Sequence, residues 1–412
     1  MRARWPVGPT RALGLAFAAL TVAACGGGNH DIVNRYPVRL LRPPATPLSE
    51  MAVLGRAVFF DSTLSASGRM SCASCHDPAR AYASDRVVPP LGRAVPSLRY
   101  VDRTPNFAIR GTAADPDEPP LTPADSGGRA PSGGLFWDGR VNTLQTQAMG
   151  PLLNAEEMGN HDIVSAARSI RRAPYARSFA ALLGADVLAS PNRLVDEAMF
   201  AVARFEIEDS SFHPYASKYD AFLEGREALA PAEWRGAQAF DDPTRGNCAA
   251  CHLDRPTPDG RPPALTDYEY EALGVPRAAG GTAGRAPSDA GYDLGLCGPF
   301  RSDLRADAGD CGSFRTPSLR NTATRSRFFH NGVYRSLEQV LAFYDFRDVS
   351  PERIYPRDAR GAVLEFNDLP ARYRRNVDVR DAPFGRAPGT SPALTPQEMR
   401  DVIAFLKTLS DR

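Results

Sequence analysis

Apolar residues recur at helical spacing in several separated places, and the stretches between them carry no comparable period. At the end of the chain, Leu394 to Leu409 sets Met399, Val402, Ile403, Leu406 and Leu409 on one face, and Thr395-Pro396 gives the N-cap and first-turn order that starts a helix. Residues 193–209 do the same through Leu194, Ala198, Ala201, Val202 and Phe205. Leu337, Val340, Leu341 and Tyr344 share a third face, which points Tyr344 inward. Two shorter segments resemble each other: Leu54-Gly55-Arg56-Ala57-Val58-Phe59-Phe60-Asp61 and Arg235-Gly236-Ala237-Gln238-Ala239-Phe240-Asp241. Each reads as a short amphipathic helix closed by an aromatic-Asp turn. Residues 111–134, 274–292 and 347–393 are too polar and too rich in Pro, Gly, Asp or Arg for core elements. Strand-like alternation is sparse. The pattern predicts a mainly α fold with long irregular loops.

The repeated helices lead to a repeated motif. Cys72-Ala73-Ser74-Cys75-His76 and Cys248-Ala249-Ala250-Cys251-His252 both read C-x-x-C-H, the attachment site of c-type haem. Two thiols bond to the porphyrin edge and the adjacent His reaches the iron. A zinc site needs four soft ligands together, and neither copy has a second Cys pair nearby. At 412 residues two domains are the natural division, each with the order helix, haem loop, connecting segments and closing helix. The expected layout is 48–227 for the first cytochrome c-like domain and 228–412 for the second, with two covalently bound haem c.

The N-terminus speaks to compartment. Arg2, Arg4 and Arg11 precede an apolar run from Ala12 to Ala24, the composition of a secretory leader over 1–24 that is too short to span a membrane comfortably. Val22-Ala23-Ala24-Cys25 resembles a lipobox, with Cys25 lipidated and 25–47 a tether. That places the protein on a membrane surface, facing the periplasm. Of the seven Cys, one goes to lipid and four to haem; Cys297 and Cys311 remain, as a disulfide or as two free thiols. Loss of the leader's three Arg takes the formal charge from +1 to −2, which gives no reason to expect nucleic acid as a partner.

The ligand opposite each motif His decides whether an iron carries electrons or meets substrate. The chain has six His, and none stands between His76 and His161. Met399, the one Met beyond Met199, lies on a helix's apolar face and reads as core.

Three long segments now become specific: 59–78 (FFDSTLSASGRMSCASCHDP), 135–159 (LFWDGRVNTLQTQAMGPLLNAEEMG) and 314–345, with FRTPSLRN and FFHNGVYRSLEQVLAFYD. They resemble the bacterial dihaem cytochrome c peroxidase and MauG superfamily from about Leu54 onward. Relatives that need reductive activation block the first haem with a His sixteen residues after the motif His; Gly92 stands there. They ligate the second with a Met fourteen residues after the FH histidine; from His330 that position is Tyr344, as in MauG-type proteins. Iron's positive charge would favour the phenolate. The bland alternative is a packed core Tyr.

The resemblance also implies that Trp137 lies between the haems and passes electrons or holes, and that Gln147, Pro151 and Glu157 form the pocket where peroxide is split, with Glu157 as general acid/base. Read alone, Trp137 is a buried indole and Glu156-Glu157 a solvated face. The family usually holds calcium between the domains, but the Asn of its pattern is Ala94 here, leaving backbone carbonyls near Arg325 and Arg327, a thin set for a hard cation, so the resemblance does not extend to an expected calcium. DLGLCGPFRSDL (293–304), RDVSPERIYP (347–356) and FNDLP (366–370) resemble the MbnH-type group, which modifies Trp in a partner protein. The implied function is a hydrogen peroxide-using dihaem peroxidase that oxidises a partner protein through Trp137. Its rivals are a cytochrome c peroxidase fed by a small electron-donor protein and a membrane-anchored electron carrier.

Overall fold

The computed structural model describes residues 30–89, 92–110, 130–278 and 291–412. Cys25 and the leader lie outside these residues, as do 111–129 and 279–290. The architecture is helical, with small two-stranded antiparallel pairs: β1 (Val87–Val88) with β2 (Arg93–Ala94), β3 (Ala108–Arg110) with β4 (Ala130–Ser132), and β5 (Tyr270–Glu271) with β6 (Phe314–Arg315).

Helix α1 (Glu50–Phe60) starts where the Ser49 side chain accepts from the Ala52 backbone N–H. It buries Ala52, Leu54, Gly55, Val58 and Phe59. Next come α2 (Leu144–Leu153), α3 (Ile163–Arg172), α4 (Ala176–Leu183) and α5 (Pro191–Glu208), the last covering the face read from Leu194 to Phe205. After α6 (Lys218–Leu223), α7 (Pro231–Asp241) and α8 (Leu337–Phe346), the chain closes with α9 (Pro396–Lys407), where Thr395 and Glu398 form a capping box.

The two related segments do the same structural job. A Cβ on Gly55 would lie 1.8 Å from the Ala201 carbonyl oxygen of α5, and one on Gly236 would lie 1.9 Å from that of Asp401 in α9. Each glycine lets its helix cross the closing helix backbone to backbone, which outweighs the roughly 1 kcal/mol glycine costs inside a helix.

Two cores follow. The first gathers Leu54, Val58, Phe59, Ile170, Phe179, Leu194, Val202, Phe205 and Phe212. The second gathers Phe240, Leu265, Leu341, Val402, Phe405 and Leu406, with Met399 and Trp234 packed against it. Helix α6 joins the second core through Tyr219 and Phe222. Its buried Asp220 takes both Arg320 amino groups at 2.8 Å. By packing, therefore, α6 sides with the second core. Ile32 bridges Leu229, Val38 N–H donates to the Leu223 carbonyl at 2.9 Å, and Arg42 grips Glu224, so 30–42 straps onto the second domain.

Cys297 and Cys311 are joined in a disulfide. Residues 347–393 hold only short 3₁₀ turns, at Pro351–Arg353 and Ala371–Asn376. Among the described residues no helix is long and apolar enough to cross a membrane.

Candidate active site

Both CxxCH motifs fold as a 3₁₀ turn that carries the His into a cavity. His76 Nδ1 faces the Tyr82 carbonyl at 3.0 Å and His252 Nδ1 faces that of Leu265 at 3.1 Å. The N–H therefore stands on Nδ1, and Nε2 keeps its lone pair for a metal. Burial pulls both imidazoles down to about 4, so they are neutral near pH 7. The four motif thiols are not bridged, and burial pushes Cys72 and Cys248 up to about 12. Redox-active thiols are instead held low.

The first cavity is small. It is lined by Phe59, Met70, Cys72, Cys75, His76, Gln147, Pro151, Glu157, Met158 and Glu206, among others. Gln147 and Pro151 are one turn apart on α2, and Glu157 follows on the turn after it. Glu156 is exposed, whereas Glu157 turns inward, accepts from Asn154 Nδ2 at 2.6 Å and is pushed up mainly by burial. Three residues expected on resemblance alone thus share a cavity with His76. Gly92 lies at the β1–β2 turn, its N–H on the Val88 carbonyl, and is not in the lining.

Three more lining residues escaped the sequence reading. Met70 and Met158 carry thioethers that carry no motif. Glu206 sits on α5 among apolar positions; it is fully buried, one carboxyl oxygen has no partner, and it is pushed up to about 8. Its signal was present: a charge at i+4 from the core residue Val202.

The second cavity is larger and mostly apolar. His252, His330 and Tyr344 line it, together with Leu337, Val340 and Leu341 of the α8 face. Tyr344 is stacked on Phe384, and burial holds its hydroxyl well above the ordinary phenol range, so ionisation requires a cation beside it. His330 stacks on Phe314 at 3.6 Å between ring centres. Arg325 stands half-buried in this wall with two buried guanidinium nitrogens unpartnered, and half-buried Arg315 leaves its Nε unpartnered. Buried donors without an acceptor are costly. Together with the CxxCH turn, they fit a large apolar cofactor that carries acid groups, which is what haem is.

Trp137 also faces the second cavity and donates its Nε1–H to the Ala94 carbonyl at 2.8 Å. Ala94 N–H donates to the His330 carbonyl at 2.7 Å. The indole therefore rests on a segment of the first half that touches the second. Ala94 offers calcium no side-chain oxygen, and its carbonyl is already engaged. Among the described residues no group of three or more His, Cys, Asp or Glu is arranged to hold a metal ion.

Residues 49–228 match the family model described as di-haem cytochrome c peroxidase. The chain is 33% identical over 368 residues to the methylamine utilization protein MauG of Paracoccus denitrificans (strain Pd 1222), covering 88% of this chain and 89% of that one. It is 26% identical to the cytochrome c551 peroxidase of Nitrosomonas europaea, covering 80% and 83%. Among solved structures, the dihaem peroxidase BthA of Burkholderia thailandensis E264 superposes with a TM-score of 0.76 at 36% identity, covering 89% and 87%. A MauG-like protein associated with microbial copper homeostasis gives 0.59 at 26% identity, covering 92% and 95%. Two CxxCH cavities, one with Gln147 and Glu157 on its wall and one with Tyr344, thus belong to a two-haem peroxidase: the chain is a member of the dihaem cytochrome c peroxidase and MauG family.

Proposed function

We propose that this peroxidase splits hydrogen peroxide at the His76 centre and passes the oxidising equivalents through Trp137 to the His252/Tyr344 centre, from which a partner protein is oxidised. One observation carries the reading: Gln147, Pro151 and Glu157 line one cavity with His76. Bound haem would supply the two electrons that peroxide takes up as its O–O bond breaks. The protein's own work is proton movement and placement. Glu157 takes the proton from the peroxide oxygen nearer the iron and returns it to the departing oxygen, which leaves as water. Burial suits the carboxyl to both tasks by bringing its two protonation states closer in energy near neutral pH. Gln147 orients peroxide, and Pro151 keeps that wall apolar. His76 Nε2 and His252 Nε2 would hold the two haem irons, and Tyr344 would offer the second a phenolate oxygen.

The protein-substrate reading rests on likeness to MauG and the copper-associated MauG-like protein, and a tryptophan is the target class that the 293–304 segment favours. The periplasmic, Cys25-lipidated location rests on the leader sequence alone. Mixing the diferric protein with peroxide tests the mechanism: both haem spectra change without prior reduction. A requirement for one added electron would refute the Tyr344 assignment. Met70 and Met158 on the first wall favour one alternative, a first haem sealed until reduced, in an enzyme fed by a small donor protein. Rapid steady-state oxidation of reduced cytochrome c would support it.

A further inference from the structure

The junction around Trp137 contains a buried charge cluster that the mechanism above does not use. Arg93 of β2 is 9% exposed and reaches into both halves of the molecule. Its Nη1 donates to Asp138 Oδ2 at 2.7 Å; its Nε and Nη2 grip Asp293 at 2.6 and 2.8 Å. Asp138 is the neighbour of Trp137 and is fully buried, and Arg140 also donates to it at 2.8 Å. Asp293 lies in the segment that leads to the Cys297–Cys311 loop, and Arg301 of that loop donates to the Asp138 and Gly139 carbonyls. The guanidinium sits 4.6 Å from the Phe300 ring centre and 6.0 Å from that of Phe314, which stacks on His330. The next residue, Ala94, holds the indole N–H on one side and the His330 backbone on the other.

We infer that Arg93 is a positioning residue for electron transfer between the haems, an internal cation that fixes Trp137 against the second domain and balances the two carboxylates beside it. This rests on the relay role proposed for Trp137. Geometry gives the reason. A planar guanidinium satisfies Asp293 with two parallel bonds while its remaining nitrogen holds Asp138, so one side chain sets the spacing of two segments from opposite halves. Charge gives another. Without Arg93, two buried carboxylates would share the junction with only Arg140 donating to Asp138. The indole would lean, and its electron affinity would change with the local field.

The test uses the diferric holoprotein in stopped-flow with hydrogen peroxide, following the two haem spectra separately. In Arg93→Ala the second-haem change slows by roughly ten- to a hundredfold, the cost of a small misplacement. The peroxide-concentration dependence of the first-haem change stays as in the parent. Millimolar guanidinium chloride, far below denaturing strength, restores the second phase of this variant. Arg93→Lys, which keeps the charge and loses the two-point grip, falls between and serves if the alanine variant does not fold. An unchanged second phase in both variants overturns the inference. So does equal loss of both phases with no rescue by guanidinium, because that marks a brace for folding only. Trp137→Phe separates the two readings: if that variant keeps a normal second phase, the relay reading fails.

Discussion

The two cavities begin alike and end differently. Each has a CxxCH turn, a histidine held by a backbone carbonyl at its Nδ1, and a helix pair that crosses at a glycine. Opposite the histidine the walls diverge. The first is small and presents Gln147, Glu157 and Glu206; the second is larger and presents Tyr344 and His330 in an aromatic setting, with Arg315, Arg325 and the carboxyls of Glu271, Asp345, Asp368, Asp378 and Asp381. On the proposed function, the shared half builds a haem site and the unshared half decides what the haem is for: Gln147 and Glu157 where peroxide is met, and the buried phenol of Tyr344 where charge is stored and passed on.

The sharpest way to break this division is at its acid. Glu157→Gln removes the group that moves the proton, and kcat/KM for peroxide should fall by about a hundredfold or more. A loss under threefold would move the acid role elsewhere, Glu206 being the other carboxyl on that cavity's wall. In the parent, kcat/KM should fall as pH drops through a value above the ordinary carboxylate range, because Glu157 must begin ionised and burial raises it. That limb should vanish in Glu157→Gln.

The opposite wall is tested by Tyr344→Phe. The first haem should keep its bimolecular reaction with peroxide while the second loses its low-spin signature, because the buried ring has no oxygen left to offer. A variant with an unaltered low-spin spectrum would reduce Tyr344 to packing.

The shared half can be probed by stability. Gly236→Ala forces a Cβ onto the Asp401 carbonyl and should cost about 1–3 kcal/mol in denaturant unfolding. A neutral result would mean the α7–α9 crossing is looser than described. The smallest effect concerns Glu206. Its folded value, about 8, stands above the unfolded carboxyl's, so the folded protein holds a proton there that the unfolded chain has lost between the two. That contribution to stability is present below the unfolded value and declines as pH rises toward 8. Glu206→Gln should therefore raise the melting temperature by a few degrees at pH 8 and change it little at pH 4. A gain of equal size at both would tie the effect to packing instead.

Much of this contrast can be read along the chain, for reasons of range. The helices over Leu194–Phe205 and Met399–Leu406 follow from periodicity, and the haem turns from five contiguous residues. Gln147, Pro151 and Glu157 fall on one helix and its following turn, so a linear match carries them together. What stays hidden depends on distant partners. The charge of Glu206 is silent until α5 places it beside Cys72. Arg93 looks like a surface residue until Asp138 and Asp293 arrive from positions 45 and 200 residues away. The strap over 30–42 and the allegiance of α6 are likewise set by tertiary pairing, since six residues of α6 have too little pattern to declare a side.

The most direct measurement is low-temperature EPR of the diferric protein. The account predicts one high-spin haem, open opposite His76, and one low-spin haem bound by His252 and Tyr344. Two low-spin signals would contradict it, because Met70, Met158 or another group would then close the iron that peroxide must reach.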